Sequence, residues 1–290
     1  MPLSITLSET YYNMERIKIL EKVDTSHPEY DLENMMWPTE QKKLTNIVKK
    51  SKKNVNTISY KQPSYGVGRY YPTPYKSSYQ SMYNVIRRLV LDGKATSLDI
   101  VNAHPIILKQ TLEKFSPGFK KPYLDWYVNE REDFLNLVIE AHGATRKQAK
   151  GLLIRMSFGG SYKELCKVEK NQQNRDNPCK LIVGYEKEAQ EIQNDIAPNK
   201  FPEFNKFTKI AKKENAKKIG KKDERTAIAL YLQDWEAKII LWLYDYAISE
   251  LGYTVEALIH DEILIRGDVE KELESNMNDI YFRIYKDTTY

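Results

Sequence analysis

Hydrophobic residues occur in short continuous runs in some parts of this chain and at helical spacing in others. The runs predict β-strands, and the helical spacing predicts helices. Residues 255–259 and 263–265 are mostly Val, Ala, Leu and Ile, and His260, Asp261 and Glu262 lie between the two runs. Two aliphatic and β-branched runs that close on polar residues predict a β-hairpin with a tight turn. Rigid strands then hold the three polar residues, although the same residues also fit a solvated surface turn.

A third strand is predicted at residues 95–101, and Asp99 lies near its end. The following Asn102-Ala103-His104-Pro105 opens an apolar helix, because proline fits the first helical turn, where its missing N–H costs nothing. Asp99 therefore lies at a strand end just ahead of a helix. An acid in this position serves either as a cap or as a ligand.

Helical spacing dominates most of the remaining chain. Thr145 is predicted to cap a helix on which Arg146 and Lys150 share a face, and glycines at 159–160 end that helix. Two cations one turn apart are also typical of a solvated stripe. Another helix is predicted from Asp223 to Glu250, ahead of the hairpin.

Composition narrows the class of protein. The 290 residues are 41% hydrophobic and carry a formal charge of +5, which suits one large or two small globular domains and a partner that carries phosphates. Cys166 and Cys179 form no C-x-x-C pair, so neither a disulfide framework nor a zinc site is indicated. No apolar run reaches the roughly 18 residues of a membrane span. We expect a soluble, intracellular, cytoplasmic protein.

Taken together, these pieces resemble the three core motifs of the family A DNA polymerases, in order and in spacing. The first motif is an Asp that ends a strand before a helix, as Asp99 does. The second is Arg, three residues, Lys, seven residues, then an aromatic residue and Gly, and the third is His-Asp-Glu in a hairpin. Further agreement comes from two Arg and Gln pairs, and the resemblance covers about residues 66 to 266. The matching residues are Asp99, Arg146, Lys150, Phe158, Gly159, His260, Asp261, Glu262, Arg69, Gln80, Arg225 and Gln233.

The chain also departs from the family pattern. His104 stands where cellular members have Glu five residues after the first Asp, and Ile154 and Ala229 replace an expected aromatic residue and Asn. The sequence Asn102-Ala103-His104-Pro105, together with Gly68-Arg69-Tyr70-Tyr71, looks closer to the divergent polymerases of viruses, virophages and related mobile elements.

The resemblance implies an α+β polymerase right-hand fold with a palm sheet and helical fingers. Residues 1–65 would form an N-terminal helical region, a reduced thumb with no room for an exonuclease domain. The palm would comprise residues 66–118 and 223–290, and the fingers residues 119–222. The palm sheet would combine the strand of Asp99 with the hairpin.

The implied reaction is template-directed extension of a primer 3′ end from dNTPs by two-metal phosphoryl transfer. Asp99 and Asp261 would bind two Mg²⁺ ions, with Mn²⁺ able to substitute, because hard cations require carboxylate oxygens. Lys150 would bind the triphosphate and donate a proton to the leaving group. His260 and Glu262 would support the hairpin that binds the metal ions. The incoming nucleotide would also be bound by Arg146, Phe158 and His104. Primer-template DNA would be bound by Arg69, Gln80, Arg225 and Gln233.

We expect a monomer, alone or with other replication proteins, in a cell or a virus-infected host. Three alternatives stay open. A template-independent terminal transferase or a primer-synthesising polymerase would use the same metal site. A two-metal nuclease would need the carboxylates but not the helix of Arg146 and Lys150, and a non-catalytic nucleic-acid-binding module would tolerate the loss of Asp99.

Overall fold

A computed structural model describes residues 4–22, 37–163, 178–216, 223–267 and 269 of the chain. The chain divides into two compact units, one of residues 1–100 and 236–290 and the other of residues 101–235. Cys166 lies outside the described residues. Within the described part, no helix combines the length and the apolar character that crossing a bilayer requires.

The strands of the described part all belong to the first unit. They are β1 (Ser4–Thr10), β2 (Val55–Lys61), β3 (Tyr71–Thr73), β4 (Ala95–Asp99), β5 (Val255–Ile259) and β6 (Glu262–Arg266). They form two antiparallel sheets, with strand orders β1-β2-β3 and β4-β6-β5. The second sheet therefore joins the strand of Asp99 to the hairpin, as the sequence predicts.

Helices make up most of the remaining described residues. In chain order they are α1 (Met14–Glu21), α2 (Trp37–Lys50), α3 (Asn84–Leu91), α4 (Ala103–Phe115), α5 (Pro122–Asn129), α6 (Arg131–His142), α7 (Arg146–Ser157), α8 (Lys180–Glu191), α9 (Ala197–Lys200), α10 (Phe204–Asn215) and α11 (Asp223–Ser249). The turn Ile192–Ile196 between α8 and α9 is π-helical. The predicted mixture of helices and small sheets is confirmed.

The core of the first unit joins both sheets to its helices. Ile58 of β2, Ile263 of β6 and Leu44 of α2 are among its fully buried members. Strands β1 and β2 alternate buried and exposed residues, as expected for strands with one face on the core. Strand β5 is buried at all five positions and so lies inside the unit, whereas the turn residues His260 and Asp261 are partly exposed.

The second unit is built around clustered aromatic rings. Tyr127, Phe134 and Tyr185 form one cluster, with centroids 5.4 to 5.8 Å apart. Tyr231 of α11 stacks on Phe201 at 5.3 Å and contacts two further phenylalanines. Such tilted and edge-to-face rings give each cluster a defined geometry as well as a large buried apolar area.

Glu9 is a fully buried acid of the first unit, and four donors satisfy it. Its carboxylate accepts hydrogen bonds from Tyr60 Oη, from Ser78 Oγ at 2.6 Å, from the Tyr79 N–H at 2.8 Å and from Tyr11 Oη at 3.0 Å. Burial nevertheless raises its pKa to about 7, because desolvation penalises the charged form more than these bonds favour it. Glu9 thus ties β1 to β2 and to the turn ahead of α3.

The N-terminal region requires a correction. We predict a helical region over residues 1–65, and α1 and α2 lie there, but β1 and β2 also lie there and pair along their whole length. The alternation of Ile5 and Leu7 with polar neighbours is the period-two signal of a strand, and the mixed composition of the region hides it. The named division into thumb, palm and fingers stays a prediction.

A second difference concerns residues 120–140, where helical periodicity predicts a helical segment with its buried face formed by Trp126, Phe134, Leu137 and Val138. It is broken at Glu130, whose φ of −130° and ψ of 54° are not helical, so that α5 and α6 are separate helices. The predicted buried face is correct for Phe134 and Val138, whereas Leu137 is 43% exposed.

We predict that Glu9 makes the stability of the protein depend on pH. Its pKa is about 7 in the folded chain against an ordinary 4.5, so the folded state binds more protons in this window. Its stabilising contribution is therefore present below pH 4.5 and falls as pH rises to about 7, by up to about 3 kcal/mol. Urea unfolding of the wild type and Glu9→Gln at several pH values measures this contribution as the difference between the two curves.

The Gln variant is a fair control because a carboxamide can donate to the hydroxyls of Tyr60 and Ser78 and accept from the Tyr79 N–H. Parallel pH profiles of the two proteins would contradict the prediction.

Candidate active site

The hairpin turn consists of His260 and Asp261, between the paired residues Ile259 and Glu262. His260 adopts a left-handed backbone with φ of 53°, which is uncommon outside glycine although His is among the residues enriched there. The buried strands β5 and β6 hold it in this conformation. Backbone conformations of this kind cluster at functional sites.

Asp99 and Asp261 lie at the same end of this sheet on neighbouring segments. Asp99 is the Cα partner of Glu262, the residue after Asp261, and the Ile100 N–H donates to the Asp261 carbonyl at 2.9 Å. Opposite residues of an antiparallel pair have Cα atoms about 4.5 to 5.5 Å apart. Asp99 is exposed and Asp261 is partly exposed, so both carboxylates remain accessible to a cation.

An ion pair lies beside this turn. Arg69 donates to both carboxylate oxygens of the fully buried Glu236, at 2.5 and 2.8 Å. Burial lowers the pKa of Arg69, but the carboxylates of Glu236 and Asp261 more than offset this, and the pKa lies above its ordinary value. The guanidinium is thus a fixed positive charge near Asp261.

Glu236 is a site residue that the sequence analysis missed. It lies between Trp235 and Ala237 on the apolar stripe of α11, and it is fully buried. An acid on a buried helix face needs a cationic partner, because an unpaired charge there would be very costly. The sequence of α11 therefore indicates that Glu236 has a cationic partner. It does not identify Arg69 as that partner.

The pKa of His260 lies below its ordinary value. Burial lowers its pKa, and the positive charge of Arg69 adds to the effect against the opposing influence of Glu236 and Asp261. Its ring also contacts Tyr71 edge-on, with centroids 6.1 Å apart. The supporting role of His260 in the hairpin stays a prediction.

Gln80 differs from its predicted role. Its side chain is buried, and its amide donates to the carbonyls of Tyr70 and Leu258, both at 3.0 Å. It therefore links the segment before α3 to strand β5. We correct the predicted nucleic-acid contact to a structural role, because both amide hydrogens already serve the backbone.

In the second unit, α7 presents Arg146 and Lys150 on an exposed face. A capping box between Thr145 and Gln148 fixes the start of this helix, as predicted from Thr145. Arg146 pairs with Glu132 at 2.6 and 3.1 Å, while Lys150 forms no ion pair among the described residues. Exposed pairs contribute little to stability, so Arg146 can exchange Glu132 for a phosphate at small cost.

The end of α7 brings two predicted nucleotide-binding residues together. The rings of Phe158 and His104 meet edge-to-face, with centroids 5.0 Å apart. His104 is buried in the first turn of α4, ahead of Pro105. Phe158 therefore faces the residue that replaces the Glu of the family pattern.

Gly159 follows Phe158 in a left-handed backbone conformation. Its φ is 77°, and a Cβ on it would lie 1.5 Å from Oε1 of Gln193. Gln193 belongs to the π-helical turn, a feature that often marks functional sites. The positive φ favours glycine at this position, since L side chains rarely adopt this conformation.

Arg225 and Gln233 lie on α11 in the second unit. Both are half-buried, and Ala229 lies midway between them, so the three share one helix face. This face is more accessible than that of their buried neighbours Ile228 and Leu232.

Asp99 of β4 and Asp261 of the turn carry carboxylates, the ligand type that hard divalent cations prefer. Among the described residues, no group of three or more His, Cys, Asp or Glu is arranged to hold a metal ion. Mg²⁺ does not require such a group, since it is commonly bound by one or two carboxylates together with waters and substrate phosphates. Asp99 and Asp261, accessible and at one end of the sheet, meet that requirement.

Comparisons with known proteins place this geometry in context. No protein-family model matches the chain. The POL domain of Pol1 from M. smegmatis, solved in complex with a DNA primer-template and dNTP, is similar in structure, with a TM-score of 0.50 and 13% sequence identity. The fold is polymerase-like. This similarity covers 95% of the chain and 52% of that polymerase chain.

A relative in sequence is the putative helicase V13 of Sputnik virophage. The two are 28% identical over 205 residues, which are 70% of this chain and 24% of that protein. The chain therefore spans about half the length of that polymerase chain and about a quarter of the virophage protein.

Proposed function

We propose that this chain is a template-directed DNA polymerase of a divergent family A type, which extends a primer 3′ end from dNTPs. The observation that carries the proposal is the pair Asp99 and Asp261, joined at one end of an antiparallel sheet within a polymerase-like fold. Similarity to a virophage protein supports the further expectation of a viral or mobile-element origin.

Asp99 and Asp261 would hold two Mg²⁺ ions or, in their place, Mn²⁺. When bound, such ions stabilise the attacking and the leaving oxygens of a phosphoryl transfer. The sheet contributes rigidity, because β4 and β6 fix the two acids relative to each other before substrate arrives. Arg69 limits the net negative charge around Asp261. His260 and Glu262 would keep the turn in place.

Arg146 and Lys150 would bind the incoming triphosphate. The guanidinium of Arg146 can form two parallel hydrogen bonds to phosphate, as it does to Glu132 here. Lys150 is accessible and unpaired among the described residues, so it is available both to bind phosphate and to donate a proton to the leaving pyrophosphate.

The primer and template would be bound by Arg69, Arg225 and Gln233. Arg69 is oriented by its two bonds to Glu236, which leaves one edge of the guanidinium for a sugar or base. Arg225 and Gln233 share an accessible face of α11. Phosphate contacts would position the nucleic acid, while pairing with the template selects the nucleotide.

Helicase activity is not proposed for this chain, although its virophage relative is described as a putative helicase. Helicases require a nucleoside triphosphate site, commonly the loop G-x-x-x-x-G-K-S/T. The sequence contains no such loop. The alternatives that share the metal site remain a terminal transferase, a primer-synthesising polymerase and a nuclease.

We predict that Asp99→Asn and Asp261→Asn each lower primer extension by roughly a thousandfold or more, because each removes carboxylate charge that acts in the transition state. Affinity for primer-template DNA should change little. Steady-state extension together with DNA-binding titration measures both quantities. Asp245→Asn, an exposed acid of α11 with the same change of charge, is the control and should extend normally.

Variants of α7 distinguish a polymerase from a nuclease, because a nuclease would need the two carboxylates but not Lys150. Lys150→Ala should slow extension strongly, whereas Arg155→Ala, an exposed cation on another side of α7, should not. Extension within tenfold of wild type by either Asp variant would overturn the assignment of the metal site.

We predict that His104 and Phe158 together restrict access of a 2′-hydroxyl to the nucleotide site. Loss of the imidazole in His104→Ala should raise the ratio of ribonucleotide to deoxynucleotide kcat/KM by about tenfold or more, because the space that it fills would admit the hydroxyl. Deoxynucleotide insertion should fall less. Single-turnover insertion with both sugars measures the ratio.

His142→Ala is the matched control, since His142 is another buried histidine of this unit and bonds to Tyr162 Oη at 2.9 Å. It should lower stability and leave the sugar ratio unchanged. An unchanged ratio in His104→Ala would show that this residue only shapes the start of α4.

A further inference from the structure

A cavity of about 330 Å³ lies between α3 and one face of strands β4 and β6. Two acids and two arginines line it, Asp99 and Glu262 from the strands and Arg87 and Arg88 from α3. Asp261, the other acid of the candidate metal site, is not among its lining residues. The cavity thus brings a third carboxylate, that of Glu262, next to Asp99.

The register of the sheet explains this proximity. Asp99 and Glu262 are directly opposite each other in the antiparallel pair, so their side chains project from the same face. A third carboxylate within reach of a divalent cation normally raises the affinity of the site, since affinity depends on the number of ligand charges. Whether Glu262 can coordinate the ion therefore depends on the other contacts of its carboxylate.

Arg87 makes that contact. Its Nη2 donates to Oε2 of Glu262 at 2.9 Å, and the two side chains are only 9% and 14% exposed. Charge-assisted bonds of this kind are strong, and a largely buried pair is little screened by salt. The neighbouring Arg88 is exposed and forms no ion pair among the described residues.

We infer that Arg87 is a positioning residue that holds Glu262 away from the metal site, so that Asp99 and Asp261 alone bind the ions. The inference deepens the proposed function and rests on its metal site. Arg87 neutralises one of the two acids that line the cavity. The site then binds Mg²⁺ loosely enough for waters and substrate phosphates to complete its coordination, as this ion requires.

Direct metal binding tests the inference without reference to catalysis. We expect Arg87→Gln to bind Mn²⁺ roughly tenfold more tightly than the wild-type full chain, in EPR titrations without nucleotide or DNA, because Glu262 is released toward the ion. The double variant Arg87→Gln/Glu262→Gln should return to wild-type affinity, and Arg87→Lys should lie near wild type. A merely structural role of Arg87 would lower stability and leave affinity unchanged or weakened.

Arg88→Gln is the matched control, since it removes the same charge from the same helix and cavity. Its affinity should change less than threefold, because an exposed charge is screened. If Arg87→Gln fails to fold, Glu262→Gln decides the question: unchanged Mn²⁺ affinity supports the inference, and a tenfold loss overturns it by making Glu262 a ligand.

The outcomes separate this inference from the proposed function. Tighter Mn²⁺ binding by Arg87→Gln in a chain that extends no primer would support the inference and contradict the polymerase assignment. If Arg87→Gln extends primers normally and binds Mn²⁺ with the same affinity as the wild type, the result would support the polymerase assignment and contradict the inference.

Discussion

The antiparallel pairing of β4 with β6 is the constraint on which the candidate site depends. It sets Asp99 opposite Glu262, and the bond from the Ile100 N–H to the Asp261 carbonyl continues the pairing into the turn. A slip of one residue would send the side chain of Asp99 to the other face of the sheet. The geometry of the acids is thus a consequence of register, which the buried residues of β5 and β6 enforce.

Buried carboxylates join the surrounding segments to this sheet. Glu236 fixes Arg69 beside the turn, and Glu256 accepts from the Thr10 N–H at 2.8 Å, so β1 is joined to the hairpin. Glu9 similarly joins β1 to β2. Each acid is satisfied by several donors, which is the condition under which a buried charge or its protonated form is tolerated. The cost of desolvation remains visible in the raised pKa of Glu9.

The sequence predicts the local parts of this arrangement well. The hairpin, the strand that ends at Asp99 and the capped start of α7 follow from aliphatic runs and the cap at Thr145, because these signals are local. Long-range contacts are different, since no local pattern pairs Arg69 with Glu236, Arg87 with Glu262 or Gln80 with the Leu258 carbonyl. Resemblance to a family supplied the role expected of Gln80, and tertiary structure assigned its amide to the backbone instead.

The most direct test of the central claim is single-nucleotide insertion by the full chain on four primer-templates that differ only in the templating base. The account predicts that each template selects its complementary dNTP, and that insertion requires Mg²⁺ or Mn²⁺. Addition of the same nucleotide whatever the templating base, or to a single strand without a template, would contradict template-directed synthesis and favour a terminal transferase.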